Sequence, residues 1–310
     1  MSLHLIDMIF VPVMQRTVKV YKVDSFTKQG SGGSPTGVVL AAGALDDADM
    51  QMLAGKIDVS HTAFVTEPTN PGENIKVRFF TPNGEILNCG HGTIAVHYTR
   101  AKIYHYTGSE IIFQETKEGV QRVEIMMATN DFEIYLQQNE ILFSDVNSFV
   151  VESLLKAFLL NSTDLATDLP VVLASPGSNR FLLGLRSSAI ANSLAPDLDE
   201  LKNICTDHKS IGCFVYAMDS MQPNPEATAR MFAPNIGVNE DIINGNSSGC
   251  LGAYLLALSG QNNIDLLISQ GQKFNRDGLV KVKAAKINGH IKTVIGGGAK
   301  IQGITEFTLD

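Results

Sequence analysis

Apolar and polar residues alternate in short runs along most of the chain, and glycine- and proline-containing turns separate the runs. Residues 17–23 carry Val18, Val20, Tyr21 and Val23, a β-branched and aromatic stretch that predicts a strand. A Gly/Ser/Pro loop over residues 29–35 comes next, and a buried strand is expected at 37–42. Residues 46–57 predict a helix, with Asp46 as N-cap and Met50, Leu53, Ala54 and Ile57 on one face. Strands at 60–65 and 74–80, a turn at 81–85 and a helix from about Gly90 to Lys102 complete the first third. Strands dominate 111–143, and helices are predicted at 147–159 and 197–208. Further strands are expected at 170–173, 180–185, 212–218 and 227–232. A second glycine turn at 244–249 precedes an apolar helix at 251–258, and the tail reads as strands at 280–285, 291–295 and 305–309.

The two halves rhyme. Each runs strand, polar glycine turn, apolar helix: residues 78–98 in the first half and 229–258 in the second. This predicts two similar α+β units facing each other, with a site between them. The length of 310 residues also favours two domains.

Composition narrows the function. The net charge of -8 and the absence of a basic run argue against nucleic acid. The opening apolar stretch carries Asp7 and lacks the basic start and cleavage site of a signal peptide. It is too short to cross a membrane, so a cytoplasmic protein is expected. Met14, just before the periodic pattern, suits a natural start. Cys89, Cys205, Cys213 and Cys250 form no CxxC pair and no zinc-finger spacing with histidine, which fits reduced thiols and no metal. Gly32-Gly33-Ser34-Pro35 lacks the GK[ST] of a P-loop, and no helix comes after Gly296-Gly297-Gly298 to make a dinucleotide fingerprint.

Three segments carry candidate chemistry. Asn88-Cys89-Gly90-His91-Gly92-Thr93 puts small residues at a helix start, where free N–H groups bind anions, and His91 can move a proton. Glu240-Asp241 leads into Asn244-Gly245-Asn246-Ser247, a second helix start with two adjacent carboxylates. Ser60-His61-Thr62 offers an imidazole beside a strand. Each also has an ordinary structural reading: a tight turn, a solvated acidic turn, a packed histidine. The matching places of the first two segments in their halves favour a shared carboxylate or oxyanion cradle. His4, His97, His105, His208 and His290 are scattered and read as core or surface residues.

These segments, taken with Val23-Asp24-Ser25-Phe26-Thr27, Arg78-Phe79-Phe80-Thr81-Pro82, Arg230-Met231-Phe232-Ala233-Pro234 and Arg276-Asp277-Gly278, resemble the phenazine-biosynthesis PhzF-like family from about Val18 onward. The resemblance implies a diaminopimelate-epimerase-like α+β fold of two similar domains, each a barrel-like sheet around a central helix. It places an N-terminal domain at 15–120 plus about 298–310 and a C-terminal domain at 121–297. It further implies a cleft active site, no metal or organic cofactor, a homodimer, and isomerisation of a small carboxylic acid by proton transfer.

By the same resemblance His61, His91 and Asp241 are catalytic, with His61 where the family has glutamate. Cys89, Gly90, His91, Gly245, Asn246 and Ser247 bind substrate. Related epimerases use one cysteine from each half; here Cys89 holds the first thiol position and Asn244 the second, which argues against a two-thiol racemase. The change at His61 keeps two other expectations open: a metabolite-binding protein that has lost turnover, and a thiol-dependent enzyme built on Cys89.

Overall fold

The computed structural model describes residues 16–129, 131–220 and 226–309. Met14, His4 and the rest of the opening segment lie outside them. The first half comprises β1 (Arg16–Thr27), β2 (Ser34–Val39), α1 (Asp47–Lys56), β3 (His61–Thr66), β4 (Ile75–Thr81), β5 (Gly84–Ile86), α2 (Gly90–Ile103), β6 (Glu110–Thr116), β7 (Gly119–Met127) and β8 (Phe132–Gln137). Next come β9 (Leu142–Asp145), α3 (Ser148–Ala157), β10 (Val172–Ser175), β11 (Asn179–Leu185), α4 (Ser188–Ser193), α5 (Leu198–Asp207) and β12 (Ser210–Ser220). The chain ends with β13 (Glu226–Ala233), β14 (Val238–Asp241), α6 (Gly245–Ser259), β15 (Asn263–Gln270), β16 (Gly278–Ile287) and β17 (His290–Leu309).

Strand pairing makes the internal repeat explicit. In the first half β1–β2 is antiparallel, β2–β3 parallel, β3–β4 and β4–β5 antiparallel, β4–β6 parallel, and β6–β7–β8 antiparallel. The second half repeats these directions in order through β10–β11, β11–β12, β12–β13, β13–β14, β13–β15 and β15–β16–β17. Parallel neighbours need a crossover, which α1 and α2 supply in one half, and α4 with α5, and α6, in the other. The start of β17 pairs with β8 and its remainder with β1, which closes the first sheet into a ring. β9, reached directly from β8, pairs with β10 in the second. The two barrel-like sheets expected from the resemblance are thus stitched by two crossing segments. The expected boundary at 120/121 falls within β7, which forms a hairpin with β6 on the first ring.

Each ring encloses one helix. Eleven of the 14 residues of α2 are buried, as are eleven of the 15 of α6. A helix buried all round must be small or apolar on most faces, which both sequences satisfy except at the buried histidines of α2, His91 and His97. The outer helices are one-sided: α5 buries only Leu201, Ile204 and Cys205.

Two expected boundaries shift for the same reason. The second central helix starts at Gly245, not at 251, because Asn244 caps it and its glycines fit where nothing larger can. A Cβ on Gly249 would lie 2.5 Å from Gln138 Cδ, and one on Gly252 would collide with Val282 Cγ1. The expected strand at 280–285 is β16, but those at 291–295 and 305–309 belong to one continuous 20-residue strand with no glycine turn between them. Gly296 and Gly297 sit inside it because aromatic rings press on the backbone. A Cβ on Gly296 would collide with the Tyr135 ring, and one on Gly297 would lie 3.0 Å from Phe26 Cδ1. The expected strand at 37–42 is β2, three residues earlier, in register with β1 and β3 through Thr36.

Each central helix is fed by a short hairpin pinned in the same way. Arg78 on β4 forks onto Glu85 on β5, through Nε at 2.8 Å and Nη2 at 3.0 Å. Arg230 on β13 forks onto Glu240 on β14 at 2.7 and 2.8 Å. Each guanidinium also lies over the aromatic ring two residues on, 5.1 Å from Phe80 and 4.8 Å from Phe232. The second pair is drier: the Arg230 side chain is 4% exposed against 20% for Arg78. Arg230 Nη1 additionally donates to the carbonyls of Ala191 and Leu194, both at 2.9 Å.

The two forks differ in what their loss costs. Glu240→Gln leaves a buried guanidinium without its counter-charge and lowers unfolding free energy by about 3–5 kcal/mol. Glu85→Gln costs about 1 kcal/mol or less, since water reaches Arg78; urea titration of both variants measures the difference. Within α2, His97 is fully buried, and its Nε2 lies 2.9 Å from Gln114 Oε1. Burial lowers its pKa to about 3 from 6.5, although the Gln114 contact opposes the shift. The unfolded chain therefore takes up this proton first as pH falls. Stability present above about pH 6.5 is lost toward about pH 3, at about 1.4 kcal/mol per pH unit for one proton. Replacing His97 with Gln flattens the plot of unfolding free energy against pH by that slope.

Candidate active site

The N-termini of α2 and α6 face each other across the seam between the rings. A Cβ on Gly90 would lie 3.7 Å from Asn246 Oδ1 and 3.5 Å from Ile295 Cδ1. One on Gly245 would lie 2.9 Å from Ile295 Cδ1 and 3.0 Å from Phe26 Cζ. Glycine at both helix starts therefore lets them approach. Phe26 is fully buried at the seam with a left-handed backbone, φ 58°, a conformation that costs a bulky residue energy and persists only where packing enforces it.

The two caps correspond. Cys89 caps α2, its Sγ accepting from Gly92 N–H at 3.3 Å. Asn244 caps α6, its Oδ1 accepting from Ser247 N–H at 2.8 Å. Ser25 Oγ donates to the His91 carbonyl at 2.8 Å and ties the first turn of α2 to β1. Gln270 does the equivalent for α6: its Oε1 accepts from Asn244 N–H at 2.9 Å and its Nε2 donates to Ser248 Oγ at 2.8 Å.

His61 opens β3 and stacks edge-on against His91, with ring centroids 4.4 Å apart and planes at 77°. Ser60 Oγ lies 2.9 Å from its Nδ1. Asp241 ends β14, and its Oδ2 accepts from Asn244 Nδ2 at 3.0 Å. His61, Cys89 and His91 each offer one donor atom to a common point, all three atoms within 4.8 Å of one another.

Burial governs the electrostatics. It lowers His61 to about 3; the neighbouring His91 pushes the same way, and Asp241 opposes them. Burial alone lowers His91 to about 4. Both rings are therefore neutral at pH 7, and protonating one opposes protonating the other. Burial raises Asp241, against the pull of His61, the Asn244 amide and the N–H groups of Ile243 and Ile242. The Cys89 thiol is pushed up to about 12, first by burial and further by Asp241, so it stays protonated and is a poor nucleophile.

Some expected contributors have other partners. Glu240, the neighbour of Asp241, is fully taken by Arg230. Ser247 spends its N–H on Asn244, and its hydroxyl lies between Arg180 Nη1 at 3.3 Å and Met231 Sδ at 3.5 Å. It therefore offers the cleft neither group. Gln138 and Arg180 join the surroundings of the second helix start without any signal in the sequence. Gln138 Nε2 reaches the carbonyl of Asn246 at 3.2 Å and its Oδ1 at 3.3 Å, and Arg180 is 1% exposed beside Ser247. Each sits in a short polar run, residues 137–140 and 178–180, which periodicity cannot tell from an ordinary turn.

Comparison with known proteins agrees with this architecture. The profile of the phenazine biosynthesis-like protein family matches residues 23–302. An uncharacterized isomerase of Clostridium acetobutylicum is 34% identical over 275 residues, 87% of this chain and 91% of that protein. The uncharacterized isomerase YddE of Escherichia coli is 32% identical over 299 residues, 94% of this chain and 99% of that one. A PhzF-family phenazine biosynthesis protein of Bacillus anthracis superposes with TM-score 0.84 at 25% identity, over 95% of this chain and 99% of that one. A hydroxyproline epimerase of Agrobacterium vitis shares the fold, with TM-score 0.62 at 11% identity over 95% of this chain and 93% of that one. No helix among the described residues is long and apolar enough to cross a membrane. With the profile spanning nearly all of its length and curated relatives above 30% identity, this chain belongs to the phenazine biosynthesis-like family.

Proposed function

We propose that the chain is an isomerase that moves a proton on a small carboxylic acid without a cofactor, with His61 as the proton-transfer group. The observation that carries this reading is the meeting of His61 and His91 from one half with Asp241 from the other, beside two opposed helix starts. The N–H groups around Gly90–His91 and Gly245–Asn246 hold the substrate's anionic oxygens, as helix N-termini do. Cys89 and Asn244 shape the two helix starts as caps and need not ionise. The relatives named isomerases support the reaction class.

A histidine with its pKa near 3 is a weak base by itself. A bound carboxylate changes this: a negative charge beside the ring favours its protonated form and raises its pKa toward the working range. His61 is then a base made competent by its own substrate. Asp241, when ionised, adds a field of the same sign. His91 stays neutral while His61 holds the proton, since the two rings resist double protonation. The second reading, a metabolite-binding protein without turnover, is favoured by that same low basicity if substrate fails to raise it.

Small amino, hydroxy and cyclic unsaturated carboxylic acids, incubated with the enzyme in deuterated water and followed by proton NMR, decide between them. The expected result is deuterium entering one compound, with the rate falling about 10²–10⁴-fold in His61→Ala while binding of that compound persists. Exchange at an unchanged rate in His61→Ala removes His61 from the mechanism. Saturable carboxylate binding with no exchange in the wild type leaves the binding protein.

A further inference from the structure

His61, Cys89 and His91 make up an N,N,S donor set that proton transfer does not explain as a set. We infer that these three side chains form a binding site for a thiophilic divalent cation of the zinc class, and that the cation switches the cleft off. The site stands on its own geometry; only its effect on turnover rests on the function proposed for the cleft.

Four observations carry it. First, the three donor atoms already lie within 4.8 Å of one another. Tetrahedral zinc with nitrogen ligands at about 2.0–2.1 Å and sulfur at about 2.3 Å separates its ligands by roughly 3.3–3.7 Å. The required movement is on the order of 1 Å, and His61, at the start of β3, is the least buried of the three. Second, His91 is 6% exposed, and its Nε2 is buried with no hydrogen-bond partner. A buried ring nitrogen left unpaired is costly, and a cation takes up its lone pair. Third, the supporting contacts suit metal ligands. Ser60 Oγ holds His61 Nδ1 at 2.9 Å, which leaves Nε2 to bind. The Gly92 N–H already points at Cys89 Sγ, a contact that stabilises the thiolate formed when the cation displaces the thiol proton to water. Fourth, the field of Asp241 reaches both His61 and Cys89, so a carboxylate outside the donor set offsets the charge of a bound cation.

The donor types select the ion. Two imidazoles and a thiol favour zinc and its neighbours over magnesium or calcium, which take oxygen ligands. The site exists because position 61 is histidine where the resemblance expects glutamate. Spacing along the chain conceals it, since β4 and β5 lie between His61 and Cys89. With the cation bound, the His61 lone pair is occupied and cannot accept a substrate proton, so zinc acts as an inhibitor.

Cobalt(II) chloride titrated into the metal-stripped full-length chain tests the site by absorption, independently of turnover. Expected are one cobalt per chain, intense visible bands of a tetrahedral ion and a thiolate-to-cobalt charge-transfer band in the near ultraviolet. Cys89→Ser abolishes the charge-transfer band, and His61→Ala weakens binding by more than about 100-fold, beyond what losing a mere neighbour of a ligand costs. The absence of any charge-transfer band, or its survival in Cys89→Ser, overturns the proposal, because the thiolate would then belong to another cysteine. Stoichiometric zinc chloride is expected to stop deuterium exchange into the carboxylic acid. A chain that shows the cobalt bands but exchanges with no acid keeps the metal site and loses the isomerase reading. One that exchanges but shows no thiolate band loses the metal site alone.

Discussion

The glutamate in each arginine fork is what the cleft hangs on. Arg78 with Glu85, and Arg230 with Glu240, pin a hairpin of only a few residues against the strand before it. Hairpins this short have little pairing of their own: β5 spans Gly84–Ile86 and β14 spans Val238–Asp241. A bidentate, partly desolvated ion pair supplies the missing rigidity. Each hairpin leads directly into the cap of a central helix, Cys89 in one half and Asn244 in the other. The position of both helix starts, and with them their free N–H groups, is inherited from two charged contacts outside the cleft. Asp241 depends on this most directly, being the next residue after Glu240.

Inside the cleft the governing quantity is dryness. Burial is the largest influence on His61, His91, Cys89 and Asp241 alike, and in each case it favours the uncharged form. Such a site holds its reacting groups neutral until a charge arrives, and then responds to that charge strongly because little water screens it. A substrate carboxylate and a divalent cation are opposite charges that the same neutral cluster can accept, the first near the N–H groups and the second on the ring nitrogens and sulfur. Under the two proposals, competition between them would arise from histidine at position 61.

Much of this architecture is legible in the sequence. The repeat of strand, turn and apolar helix exposes two matching halves, and the motif around Cys89-Gly90-His91 marks the first helix start. Asp46 identifies the cap of α1 and Asn147 lies one residue ahead of α3, because capping is a local effect. The hidden features are those set by contacts distant along the chain. Gly245 to Gly249 read as a turn, since glycine is a poor helix former, but close packing against Phe26, Ile295 and Gln138 demands it within α6. The glycines at 296–298 likewise read as a break, although they lie where two rings press on an unbroken strand. Gln138 and Arg180 give no signal, since their partners lie 108 and 67 residues away. The juxtaposition of His61 and His91 needs the ring of strands to bring β3 over the start of α2.

β17 belongs to both rings, pairing with β16 and β8 at one end and with β1 along the rest. The link from β8 to β9 runs the other way. The halves are therefore not two bodies on a tether. If the cleft widens to admit a ligand, the shared backbone of β17 has to twist with it, against the Tyr135 and Phe26 rings that pack on Gly296 and Gly297. A strand common to both sheets couples the two helix starts: a rotation of one half is transmitted through the same backbone to the other.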